Sequence, residues 1–241
     1  MKQKLIPYTW EHSHLVYKRP KNDMASILIK ESEFTFFENK MDFAYAAIYE
    51  DHVIFSFKGT DNIKGWISNM DPYPLNGDEY TKKFLKDGKW GHGTIHDGFY
   101  KSWSFFKSCI TKVIDNYHVN PQEKQIITCG HSRGGALAEL CSRHLAKNLS
   151  IDNSCFTFGA PAVGIKKYRD QFRSLPINGT RIVNGWDMVP LLPPKDLGFR
   201  HGCANELWVK KALWKKYIPW IRISDHYQKS YASLVRRKFS K

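Results

Sequence analysis

Ser132 lies between two glycines in Gly130-His131-Ser132-Arg133-Gly134, the G-x-S-x-G spacing at which a serine hydroxyl can be presented as a nucleophile. Missing side chains on either side let a strand and a helix approach while the serine is thrust outward in a strained backbone conformation. A serine hydroxyl attacks only when a histidine takes its proton and a carboxylate orients that histidine. In enzymes built around such an elbow, acid and base follow the serine in the order Ser, Asp, His. Asp187 stands just past the expected strand Thr180 to Asn184; Asp170, on an expected helix, and Asp196, in a proline-bounded loop, are weaker rivals. Two histidines follow Asp187, at 201 and 226, and the residue pattern alone leaves both open. His131, beside the serine, reads as a packing, turn or surface residue.

Acyl transfer also needs donors for the oxyanion. The backbone N–H of Arg133 begins the helix after the serine, where the helix dipole favours negative charge. A second donor usually comes from the loop after a neighbouring strand. Thr60 follows the permissive Gly59 and is the candidate; the competing reading is a threonine acting only as a helix cap.

These residues need a scaffold of strands that end where the side chains begin. Ile126 to Cys129 reads as a buried strand, and from Ala136 onward Leu137, Leu140, Cys141, His144 and Leu145 recur at helical spacing. Ala44 to Tyr49 and Val53 to Phe57 flank Glu50-Asp51-His52 as a hairpin, and Asn62 to Met70 reads as a short helix. His96 to Tyr117 is expected to be a long helix with Phe99, Trp103, Phe106, Ile110 and Ile114 on one face. Cys155 to Phe158 and Thr180 to Asn184 read as strands, with Ile165 to Phe172 helical between them. Such alternation indicates an α/β fold with a predominantly parallel central sheet flanked by helices, and loops gathered at the strand C-terminal ends. Residues 1–23 show weak periodicity and read as an irregular arm, followed by a helix near Asn22 to Lys30.

A chain of 241 residues suits one α/β domain with a substantial core. The five cysteines, at 109, 129, 141, 155 and 203, include no C-x-x-C pair, which suggests reduced, mostly buried thiols and neither a disulfide framework nor a zinc site. Basic residues exceed acidic ones by 14 but are dispersed, so peripheral contact with anionic membrane is the expected partner and a dedicated nucleic-acid site is not. The first residues lack the continuous apolar region of a signal peptide, and the expectation is a soluble cytoplasmic protein.

Several stretches together resemble the class 3, or fungal-type, lipase family of the α/β-hydrolases: Val53 to Trp66, Ile95 to Phe99, Ile126 to Ala138, Thr157 to Gly164 and Arg181 to Pro194, in the right order. The resemblance implies a single α/β-hydrolase domain acting as a serine hydrolase on carboxylic esters, commonly lipids, with no cofactor and no metal. Carried over residue by residue, it makes Ser132 the nucleophile, Asp187 the acid, and Thr60 and Arg133 the oxyanion hole. It selects His226 as the base, because Ser224-Asp225-His226-Tyr227 is similar to the family's late Asp-His-x-x-Tyr element; the family's Gly-x-x-His, here ending in His201, is not catalytic. The chain departs from the pattern in two places. Arg133 replaces the more usual leucine, which brings a cation near the site. Residues 71–92, where a lid would lie, intersperse Asp78, Glu79, Lys82, Lys83, Lys86 and Asp87 among Tyr80, Phe84 and Leu85, so weak activation at neutral oil surfaces is expected.

Overall fold

The computed structural model describes residues 2–19, 33–63, 85–87, 94–209 and 223–240. The chain opens with a helix, α1 (Lys2–Leu15), followed by the strands β1 (Glu33–Glu38), β2 (Phe43–Ile48) and β3 (His52–Phe57). Short strands β4 (Leu85–Asp87) and β5 (Thr94–His96) precede the long helix α2 (Asp97–Asn116). Then come β6 (Gln125–His131), α3 (Arg133–Asn148), β7 (Asn153–Phe158), β8 (Gly164–Ile165), α4 (Lys166–Arg173) and β9 (Ile177–Asn184). β10 (Phe199–Arg200), β11 (Asn205–Val209) and helix α5 (Gln228–Phe239) complete it.

Seven strands form one sheet in the order β1-β2-β3-β6-β7-β9-β11. From β3 to β11 every pairing is parallel, and β1, β2 and β3 pair antiparallel. The hairpin closes through Tyr49 N–H donating to the His52 carbonyl at 2.8 Å. β10, β8, β5 and β4 make a small antiparallel sheet beside it.

Side chains alternate between two cores because successive residues of a strand face opposite sides. Val53, Phe55 and Phe57 join Trp103, Phe106 and Ile110 of α2 and Leu137 and Leu140 of α3 on one face. Ile54, Ile127, Cys129, Phe156 and Phe158 join Ile6 and Trp10 of α1 and Tyr231 and Leu234 of α5 on the other. Strands covered on both sides read as continuous apolar runs, as these do.

Residues 2–15 are helical, which corrects the expectation of an irregular arm. The helix turns polar residues toward the sheet: Thr9, His12 and Ser13 are buried, His12 Nδ1 lies 2.7 Å from the Tyr45 hydroxyl, and Ser56 Oγ donates to the His12 carbonyl at 2.9 Å. Buried polar groups need partners, and these have them, but they erase the apolar stripe that periodicity detects. β1 and β11 are edge strands whose half-exposed residues dilute the alternation, and neither was expected. The expected helix near 22–30 and most of Asn62 to Met70 lie outside the described residues. So does the lid-like loop 71–92, apart from the backbone of β4, which pairs with β5.

Candidate active site

The elbow is built by close backbone approaches. Ser132 sits between β6 and α3 with φ 59° and ψ −133°, a strained conformation for a residue with a side chain. Its N–H donates to the Phe158 carbonyl at 2.8 Å and its carbonyl accepts from Gly135 N–H at 2.9 Å, so β7 and the first turn of α3 hold the strain in place. A Cβ on Gly130 would come within 2.3 Å of the Gly134 carbonyl, and one on Gly134 within 2.0 Å of the Phe57 carbonyl. Glycine at 130 and 134 is thus a packing requirement where strand, helix and β3 meet.

Ser132, His226 and Asp187 meet in one hydrogen-bonded run. His226 Nε2 lies 2.8 Å from Ser132 Oγ, and His226 Nδ1 lies 2.9 Å and 3.0 Å from the two Asp187 oxygens. Facing a carboxylate, Nδ1 carries the proton and Nε2 is left to accept from the serine. All three side chains are buried, Asp187 completely. The carboxylate also accepts from Val189 N–H at 2.9 Å and from the Tyr231 hydroxyl at 2.8 Å. Burial first, and then the neighbouring carboxylate, raise the Tyr231 phenol well above its ordinary range and keep it a donor. Gly159 has φ +59°, and a Cβ there would stand 2.7 Å from both Asp187 Oδ2 and the Tyr231 oxygen.

The loop carrying His226 is pinned at each residue. Asp225 accepts from Trp186 N–H at 2.9 Å through its side chain and from Asn184 Nδ2 at 2.9 Å through its carbonyl. His226 N–H donates to the Ile223 carbonyl at 3.0 Å. The His226 carbonyl accepts from His131 Nε2 at 2.8 Å.

The other candidates stand elsewhere. His201 Nε2 donates to the Pro190 carbonyl at 2.7 Å, and burial pushes this imidazole down to about 3. Asp170 pairs on the surface with Lys166 and Arg169, which lower its carboxyl. Asp196 is exposed in the short turn Lys195–Leu197.

A cavity of about 670 Å³ opens over Ser132 and His226, lined also by Thr60, Tyr17, Ile63, Tyr227 and Lys229. Thr60 therefore shares the serine's cavity. Arg133 starts α3, but its guanidinium turns toward the β1–β2 turn, 2.5 Å from Asp42, and also donates to Ser102 of α2. The expected cation near the site is thus held by an anion on another element. Among the described residues, no group of three or more His, Cys, Asp or Glu side chains is arranged to hold a metal ion.

Tyr17, His131, Gly159 and Tyr231 complete the surroundings and were not singled out for it from sequence. The tyrosine that reaches the acid is Tyr231, five residues after His226, while Tyr227 next to His226 is exposed. That spacing puts Tyr231 in the first turn of α5, a placement visible only once the helix start is known.

The family model described as Lipase (class 3) matches residues 54–197. A lipase of Rhizomucor miehei is 31% identical over 166 residues, covering 66% of this chain and 42% of its own. A protein of Fusarium solani named secreted mono- and diacylglycerol lipase 1 is 30% identical over 162 residues, covering 65% of this chain and 44% of its own. The chain spans about half the length, or less, of these curated relatives. The solved Rhizomucor miehei lipase propeptide complex superposes with a TM-score of 0.70 at 21% identity, covering 88% of this chain and 70% of that one, and shows the fold to be shared. A relative named as secreted overturns the expected cytoplasmic location and points outside the cell.

Proposed function

Since the chain belongs to the class 3 lipase family, we propose that it is a serine hydrolase cleaving carboxylic esters of lipids through an acyl-enzyme. The observation that carries this reading is the unbroken run from Ser132 Oγ through His226 to Asp187 beneath an open cavity. His226 Nε2 takes the serine proton as Oγ bonds to the ester carbonyl carbon, and the carbonyl electron pair moves onto oxygen. The N–H groups of Thr60 and Arg133 receive that oxyanion, each donor contributing on the order of 10²–10³ in turnover. Collapse expels the alcohol, which leaves with the proton from His226. Water then attacks the acyl-serine by the same route, and the acid departs. Asp187 holds the imidazole in one tautomer and stabilises the imidazolium without itself taking the proton.

Acylglycerols are the substrate class suggested by the Fusarium solani relative, and the excess of basic residues favours anionic lipid surfaces over neutral oil. The test is covalent labelling by a fluorophosphonate together with release of fatty acid from a panel of mono-, di- and triacylglycerols and phospholipids. Labelling at Ser132 with acyl release supports the reading. A folded protein that neither labels nor hydrolyses any member of the panel defeats it.

A further inference from the structure

We infer that Tyr17 and His131 are positioning residues that tie the base and the nucleophile turn by hydrogen bonds and hold the oxyanion loop by packing against it, a role that rests on the serine-hydrolase reading above. His131 has its Nε2 2.8 Å from the His226 carbonyl, an atom that only accepts, so Nε2 carries the proton. Its Nδ1 is then an acceptor, and the Tyr17 hydroxyl lies 3.0 Å from it. The Tyr17 oxygen in turn packs directly against the backbone of Gly59, the residue before Thr60. Gly59 has to be a glycine for this contact, since a Cβ there would stand 2.0 Å from the Tyr17 oxygen and 2.7 Å from the His131 carbonyl. One phenol therefore joins the loop of Thr60 to the residue beside the nucleophile, and that residue's imidazole holds the backbone of the base.

The His131 ring also stacks on His226, with centroids 4.8 Å apart and planes 29° apart. An imidazolium forms on His226 in the proposed reaction, and a second cation stacked on it would oppose that step. His131 is kept neutral by burial first and by the His226 charge second, both of which push it well below its ordinary value. The groups facing His131 are His226 and Tyr231 from the C-terminal segment and Trp10, His14 and Tyr17 from the N-terminal one, none of them anionic. The one contact that favours its protonation, the bond to the His226 carbonyl, is outweighed by burial and by His226.

The test compares His131→Gln, His131→Asn and Tyr17→Phe on a water-soluble p-nitrophenyl ester, separating kcat from KM. The glutamine amide reaches where Nε2 stands and keeps the donor to the His226 carbonyl, so kcat stays within about threefold of wild type. The asparagine amide replaces only Nδ1 and loses that donor, so kcat falls about 10–100-fold with KM nearly unchanged, the scale expected of a slightly misplaced base. Tyr17→Phe lowers kcat about tenfold by the same reasoning. Nitrogen NMR of the unaltered protein finds His131 protonated at Nε2 and untitrated between about pH 5 and 8. Equal losses in the Gln and Asn variants, a loss confined to KM, or His131 protonated at Nδ1 overturns the positioning role alone. An unaltered protein that takes no fluorophosphonate overturns the serine-hydrolase reading and this role with it.

Discussion

The Tyr231 hydroxyl donates to Asp187 Oδ2 at 2.8 Å and accepts from the Asn184 N–H at 3.1 Å, so one phenol bridges the carboxylate to the end of β9. Tyr231→Phe leaves the carboxylate short of one donor and the Asn184 N–H without its acceptor. Hydrogen bonds to charged groups contribute roughly 1.5–3 kcal/mol, so a loss of about 2 kcal/mol in urea unfolding is expected. Turnover falls with little change in KM, because the acid is disturbed and the cavity over Ser132 is not. Unchanged stability and unchanged kcat would show that the phenol does not support Asp187.

Ser132→Ala removes the nucleophile and should abolish both esterase activity and fluorophosphonate labelling while the far-UV spectrum stays unchanged. Ser132→Gly separates chemistry from strain. At φ 59° a glycine avoids the Cβ cost that alanine retains, so the glycine variant should be more stable than the alanine variant by about 1 kcal/mol in thermal unfolding.

Arg133 and Asp42 form a largely buried ion pair, with side-chain exposures of 15% and 6%. Removing one partner of such a pair strands the other charge, at a cost of roughly 3–5 kcal/mol. Asp42→Ala should therefore unfold at markedly lower denaturant than wild type, and Asp42→Ala combined with Arg133→Leu should recover most of the loss. A double variant as unstable as the single one would mean that Asp42 acts through something other than Arg133.

Glu139 of α3 is buried, accepting from the Gly202 N–H at 3.2 Å, and burial pushes its carboxyl from 4.5 up to about 7. The folded state thus holds a proton that the unfolded chain has released between these values. The group's contribution is fully present below about pH 4.5 and is lost as pH rises toward 7, by on the order of 3 kcal/mol. Melting temperatures from pH 4.5 to 8 should fall in the wild type and fall less in Glu139→Gln. Parallel curves would rule out Glu139 as the source.

The parts legible in the sequence are those that depend on neighbours along the chain. Gly130 and Gly134 flank Ser132 at a fixed spacing, and the strand before Ser132 holds a short apolar run, Ile126 facing one core and Ile127 the other, because both its faces are covered. The α1 helix was not legible, since its sheet face carries Thr9, His12 and Ser13: the two hydroxyls bond back to carbonyls of their own helix, and the partners of His12, Tyr45 and Ser56, lie more than 30 residues away. Tyr17, Gly159 and Tyr231 gain their meaning only from contacts across the fold. Arg133 misled for the same reason: a cation beside the serine in sequence spends its charge on Asp42, 91 residues distant.

Trp10 stacks on Tyr231 at 5.8 Å, and His14 Nδ1 lies 2.6 Å from Gln228 Oε1, so α1 and α5 close against each other directly behind the base. Contacts more than 200 residues apart form late, because a long loop must close before they are rewarded. Catalytic competence is therefore a clock for the final step of folding. In refolding, the helical signal returns first and hydrolysis last, and a chain whose α1 and α5 have not met is a nucleophile without its base.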